Sequence, residues 1–302
     1  MKQEINKIVD VWLRNLDKKD TVFLPFLGPF YLGKNNPRKI LVDILKYATR
    51  KDFLSYDKNR RWYKIKKEKI PISYTIIEKR SIFLPVIDDY FKRKLKIFYY
   101  SSKPVAKSDF VKAKQIARRF SPNSFVFYCF KKPQNAVNFY CHNIYLKKFT
   151  TKDLLGDQQA VIKRRIFLYE QFDPVVKKTL SSLGTEDDLG GFAFLWSNFL
   201  SRQNRHYPIF CAIENQKIIG AIGPLEIMKD PWDNSFLAPP YFGVKSGFRG
   251  ENYGTFLWKA AIDWAYRREA SYFILQAQED SPADYFYQKH GLLLKGKVYS
   301  SF

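Results

Sequence analysis

The stretch Tyr241-Phe242-Gly243-Val244-Lys245-Ser246-Gly247-Phe248-Arg249-Gly250-Glu251-Asn252-Tyr253-Gly254-Thr255 opens as a short strand and ends on the apolar helical pattern of Gly254–Arg268. The first N–H groups of a helix have no carbonyl one turn back, and they lie at the positive end of its dipole. A strand–loop–helix junction of small residues is therefore an anion site. Gly254 lets the backbone approach a phosphate, and Gly250 and Asn252 tolerate positive φ. The candidate cofactor-binding residues are Phe242, Gly243, Val244, Arg249, Gly250, Glu251, Asn252, Tyr253, Gly254 and Thr255. Taken alone, the loop could equally be a tight strand-to-helix turn.

A second segment lies downstream, beyond an expected strand at Ser271–Ala277: Asp280-Ser281-Pro282-Ala283-Asp284-Tyr285-Phe286-Tyr287-Gln288-Lys289-His290-Gly291-Leu292. Together the two resemble the GNAT superfamily of N-acyltransferases. In its acyl-CoA signature, Val-x-Pro-x-x-Arg-Gly-x-Gly-x-Gly, Val244, Arg249, Gly250 and Gly254 match; Gly247 follows the usual proline position and Asn252 replaces the middle glycine. The later segment is similar to the family's Asn-x-x-Ala-x-x-Phe-Tyr-x-Lys-x-Gly-Phe, with Asp280 in place of Asn. The resemblance implies an α/β GNAT fold with a mixed sheet, a donor phosphate on the 249–254 loop, and Tyr287 as the general acid that reprotonates the leaving group. A phenol suits that role because its ordinary pKa is about 10. Glu226 on the expected strand Lys217–Ile227 is the first candidate for general base, with Asp230 in the linker Lys229–Asn234 second.

The match covers about the last hundred residues. Residues 150–208 are compatible with acceptor-binding helices at Ala160–Phe172 and Gly190–Ser201, and 1–149 are not covered. Two domains are expected, a basic α+β domain at 1–149 and the acyltransferase at 150–302. Residues 1–150 carry 34 Lys and Arg against 12 Asp and Glu, an excess of +22, whereas 151–302 carry 18 against 17, or +1. A lysine bias acting on the whole chain would make both halves basic. The excess instead fits phosphate neutralisation, with aromatic rings beside it for stacking on bases. The candidate nucleic-acid contacts are Arg60, Arg61, Trp62, Lys64, Lys66, Lys67, Arg118, Arg119, Lys131 and Lys132.

Within this basic half, helices are expected at 4–16 and Arg38–Tyr47, and Tyr63–Lys66 reads as a strand with one apolar and one basic face. Ser124–Phe130 and Val137–Leu146 read as a hairpin across which Cys129 and Cys141 could face each other. No signal-peptide pattern, membrane-length apolar run or metal-ligand spacing appears, so a cytoplasmic location, reduced thiols and no metal are expected.

A narrower resemblance rests on Pro240–Val244, Thr255–Trp264 and Leu275-Gln276-Ala277. These are similar to long GNAT proteins of natural-product gene clusters, some of which take the acyl group from aminoacyl-tRNA. The resulting expectation is amide formation on a small-molecule or peptide amine, with aminoacyl-tRNA as donor and tRNA held by the basic half. Conventional acetyl-CoA-dependent N-acetylation, of a small amine or of RNA, is the alternative. A non-catalytic RNA-binding protein with a degenerate GNAT domain is a third reading, favoured by Asn252 and Asp280.

Overall fold

The computed structural model describes residues 2–16, 19–50, 52–90, 93–134, 138–156, 162, 165–186, 189–198 and 207–301. Val137, 160–161, 163–164 and 199–201, which enter the expectations above, lie outside the described residues. The helices are α1 (Lys2–Asn15), α2 (Arg38–Arg50), α3 (Lys107–Arg118), α4 (Pro174–Lys178), α5 (Gly190–Asn198), α6 (Tyr253–Tyr266) and α7 (Pro282–Lys289). The first eight strands are β1 (Thr21–Leu24), β2 (Gly28–Tyr31), β3 (Glu68–Lys69), β4 (Ile76–Ile77), β5 (Ser81–Asp88), β6 (Lys94–Ser101), β7 (Ser124–Cys129) and β8 (Tyr140–Lys148). The others are β9 (Ile166–Leu168), β10 (Phe210–Glu214), β11 (Lys217–Gly223), β12 (Ile227–Lys229), β13 (Ser235–Leu237), β14 (Tyr241–Val244), β15 (Tyr272–Gln278) and β16 (Leu293–Ser301).

The chain divides into two compact units, 1–147 with 274–302, and 148–273. This differs from a division at 149/150, because the last 29 residues of the chain, 274–302, pack in the first unit. The reason is strand order. In the first unit the sheet runs β15-β8-β16-β7-β6-β5-β3, with β4 also on β5. The C-terminal strand β16 lies between β7 and β8 and is antiparallel to both. The expected β7–β8 hairpin is therefore absent. Tyr299 faces Cys129 on one side and Cys141 on the other, so the two cysteines stand two strand spacings apart, roughly 9–10 Å. That is beyond disulfide reach, and both are free thiols.

Strand β6 pairs in parallel with β7 through α3, and antiparallel with β5. All but the last residue of β5 is buried, as expected of a strand covered on both faces. One face, with Phe83, Ile87, Leu95, Ile97, Tyr99, Phe127 and Cys129, packs on Ala113, Ile116 and Ala117 of α3. The other presents Phe98, Tyr100 and Tyr128 to Trp12 of α1, Phe23 of β1 and Phe130.

In the second unit β14, β11, β10 and β9 form an antiparallel sheet in that order. Asn215 and Gln216 both take left-handed φ (48° and 58°), giving the two-residue hairpin turn between β10 and β11. Helix α6 buries Leu257, Trp258, Ala260, Ala261, Ile262 and Ala265. In the expected helix at Ala160–Phe172, Ile162 is helical, but Ile166–Leu168 are strand β9 followed by a 3₁₀ turn at Tyr169–Gln171, because 166–168 complete the sheet beside β10. The expected strand Lys217–Ile227 stops at Gly223, and β12 begins at Ile227.

Candidate active site

In the second unit, β14 is an edge strand of its sheet. Lys245 N donates to Ile219 O at 2.8 Å, so hydrogen bonding alternates inward at 241, 243 and 245, while the backbone groups of Phe242 and Val244 face away from β11. The Val244 carbonyl receives Arg249 Nε at 2.9 Å. Arg249 is thus folded back on the strand, and its Nη2 lies 3.7 Å from Glu186, which also accepts from Ser246 N at 2.9 Å. Gly243 is needed for packing: a Cβ there would stand 2.2 Å from Leu189 Cδ2.

The loop then turns as the sequence suggests. Gly250 has φ +90° with no heavy atom within 4 Å of a built Cβ, and Asn252, at φ +66°, is the N-cap of α6. The first bond of the helix is Phe256 N to Asn252 O at 3.0 Å, so the N–H groups of Tyr253 and Gly254 precede it at the positive end of the dipole. Glu251 is exposed and Thr255 half-buried. The Tyr253 side chain turns away into the core: its hydroxyl donates to Glu214, and the Arg165 guanidinium lies 5.9 Å from its ring. Only the backbone of Tyr253 can serve an anion. Gly254→Val crowds this approach; we expect donor binding to weaken by about 1.5–3 kcal/mol, the worth of a hydrogen bond to a charged group, with melting unchanged. Calorimetric titration checks it, and undiminished affinity would place the phosphate elsewhere.

The two carboxylates considered as base are separated by their partners. Asp230 is buried and saturated: Oδ1 accepts from Trp232 N (2.8 Å) and Asn234 N (2.9 Å), and Oδ2 from Asn234 Nδ2 (2.9 Å) and Tyr272 OH (3.3 Å). It shapes the 230–234 turn and has no free lone pair aimed at a substrate. Glu226 is also buried and accepts from Tyr207 OH at 3.0 Å. Neither is solvated. Tyr207 was not singled out in the sequence, since only the fold brings it to Glu226.

Tyr287 belongs to the first unit, on α7. Its ring meets Tyr145 of β8 edge-on at 5.8 Å between centroids, and burial pushes its phenol up to about 12. His290 packs on Phe286, 4.1 Å between centroids, as an ordinary ring contact.

The basic residues sort by burial. Lys66 is enclosed: its Nζ is 2.5 Å from Asp57 Oδ2, with both side chains fully buried, and 3.9 Å from the centre of the Phe26 ring. Its neighbour Ile65 is 68% exposed, so the expected burial is reversed at 65 and 66 while Lys64 faces solvent as expected, and the segment is a bend instead of a strand. Arg61 is buried too, with Nε on Lys58 O at 3.2 Å. Neither Lys66 nor Arg61 can contact nucleic acid. Lys64, Lys67, Arg118, Arg119 and Lys132 are exposed, and Arg60, Trp62 and Lys131 half-buried. Among the described residues no cluster of His, Cys, Asp and Glu could hold a metal ion, and no helix is long and apolar enough to cross a membrane.

Residues 175–292 match the model of the acetyltransferase (GNAT) family. Among solved structures, the chain is similar to a tandem GNAT protein from the clavulanic acid biosynthesis pathway, at 10% identity over 98% of this chain and 95% of that one (TM-score 0.49). It is also similar to GCN5-related N-acetyltransferases from Kribbella flavida (12%, 75% and 87%, TM-score 0.43) and Sphaerobacter thermophilus (12%, 75% and 81%, TM-score 0.42). No curated protein sequence matches it significantly.

Proposed function

We propose, from the match of residues 175–292 to the acetyltransferase (GNAT) family, that the chain acylates the amine of a small molecule or peptide with aminoacyl-tRNA as donor. The observation that carries the donor is the charge split, +22 over residues 1–150 against +1 over 151–302. With Lys66 and Arg61 buried, the phosphate contacts fall to the exposed Lys64, Lys67, Arg118, Arg119 and Lys132. In the reaction, the neutral amine attacks the ester carbonyl and the C–O bond to the ribose breaks. Glu226 takes the proton the amine loses, and Tyr287 protonates the departing alkoxide. A phenol at about 12 is closer in acidity to a sugar hydroxyl than to a thiol near ~8.5. Proton transfer to an alkoxide is therefore the better matched step.

Acetyl-CoA is the second reading, favoured by the positive φ at Gly250 and Asn252, which turns the chain into the start of α6, where the first N–H groups of a helix attract a phosphate. Charged tRNA and acetyl-CoA, supplied separately with a panel of amines and with or without ribonuclease, separate the two. The proposal expects ribonuclease-sensitive transfer without CoA. It also expects tRNA affinity to fall with salt, at a slope of about −0.7 to −0.9 per phosphate contact. CoA-dependent, ribonuclease-resistant acetylation with salt-independent RNA binding would leave the second reading in its place.

A further inference from the structure

The face of α7 that carries Tyr287 is held to β8 by a buried carboxylate. Asp284, Tyr287 and Gln288 stand at i, i+3 and i+4 and share one side of the helix. On β8, Asn143 and Tyr145 alternate onto one face. Asp284 Oδ1 accepts from Tyr145 OH at 2.6 Å and from Asn143 Nδ2 at 2.9 Å. Its Oδ2 accepts from Gln288 Nε2 at 3.2 Å and from Asp280 N at 3.1 Å. Gln288 Nε2 also reaches Tyr145 OH at 3.1 Å, closing the ring of contacts. Asp284 is 1% exposed and Tyr145 1% exposed.

An apolar contact would hold a helix to a strand at less cost. Burial alone would raise the Asp284 carboxyl, yet the bonds from Tyr145 and Asn143 hold it below the ordinary carboxylate range, so it is a buried anion with four donors. Asn143 turns its Nδ2 to that anion and leaves Oδ1 buried with no hydrogen-bond donor among the described residues, at a cost of about 1–3 kcal/mol. Directional bonds of this kind fix the roll of α7, which greasy packing does not. Tyr287, one turn on and edge-on to the same Tyr145 ring, takes its direction from that roll.

We propose that Asp284 and Tyr145 are positioning residues for Tyr287, so that strand β8 of the basic half sets the direction of the catalytic phenol. The inference rests on the reading of Tyr287 as general acid. It gives the first half a role in the chemistry, separate from any contact with nucleic acid. Asp284→Asn breaks the pattern of acceptors, and Tyr145→Phe removes one donor while keeping the ring.

The full chain is labelled with 3-fluorotyrosine, and the fluorine line of Tyr287 is assigned by its loss in Tyr287→Phe. Tyr99→Phe, in the core on the α3 face, is the control for general loosening. In Asp284→Asn and Tyr145→Phe the Tyr287 line should move or split, and kcat should fall on the order of 10²-fold with KM nearly constant, as for a misplacement of about 1 Å. In Tyr99→Phe the line should stay. If Asp284→Asn does not fold, Tyr145→Phe decides alone. A Tyr287 line unmoved in Tyr145→Phe, or moved as far in Tyr99→Phe, overturns the proposal. Wild-type kcat in Tyr287→Phe would instead remove the reading beneath it.

Discussion

Tyr287→Phe lowers kcat about 10²–10⁴-fold, the usual worth of a general acid, and leaves donor affinity near wild type. The substitution keeps the ring that meets Tyr145 and removes the hydroxyl with its ionisable proton. Because burial holds this phenol up to about 12, the wild-type rate should show no falling limb from Tyr287 below roughly pH 11. The same shift bears on stability. The folded value lies above the ordinary one of about 10, so burying the neutral phenol stabilises the fold fully below that pH. The contribution is lost as pH rises through the folded value. Steady-state rates from neutral to alkaline pH check the first effect, and melting curves of wild type and variant over the same range check the second. A falling limb near pH 8 that disappears in the variant would contradict the assignment.

Separating the chain at 149/150 abolishes activity and leaves 150–302 without a cooperative fold. The cut removes β7 and β8, the strands that flank β16 along most of its length. It strips Asp284 of Asn143 and Tyr145, leaving a buried charge without half its donors. Breaking up a buried charged arrangement of this kind costs on the order of 3–5 kcal/mol, a large fraction of the roughly 5–15 kcal/mol by which a domain is stable. The exposed strand edges add an aggregation hazard. Urea unfolding and turnover of the fragment, with 1–149 added back in trans, measure the effect. A soluble, active 150–302 fragment would show that the C-terminal strand does not depend on its neighbours.

What could be read in the sequence was local. Gly250 and Asn252 were identifiable because positive φ is a single-residue property, and they sit where a strand stops and a helix starts. The turn at Asn215 and Gln216 has the same origin, and helices α1 and α2 are local in another way, through apolar residues at helical spacing. The insertion of β16 between β7 and β8 joins residues 147 to 174 positions apart, and nothing in the Ser124–Leu146 pattern distinguishes a hairpin from two strands awaiting a third. Lys66 was misplaced for a related reason. Alternation assigns lysine to solvent, whereas Asp57 and the Phe26 ring, from separate segments, make a buried place for it. Glu226 and Asp230 look alike in sequence, and only their partners show that one is spent on a turn. The network around Tyr287 left one local trace: Asp284 stands one helical turn before it.

The central claim is that this chain turns over as an acyltransferase instead of only binding a donor. Mass spectrometry of amide formed per chain tests it most directly, with intact wild-type protein, an isotopically labelled aminoacyl group on tRNA, acetyl-CoA in a parallel sample, and a mixed panel of amines. Many amides per wild-type chain are expected from one of the two donors, with a count reduced about 10²–10⁴-fold in Tyr287→Phe. Donor bound tightly by the wild type, with no amide above the uncatalysed background from either source, would contradict it.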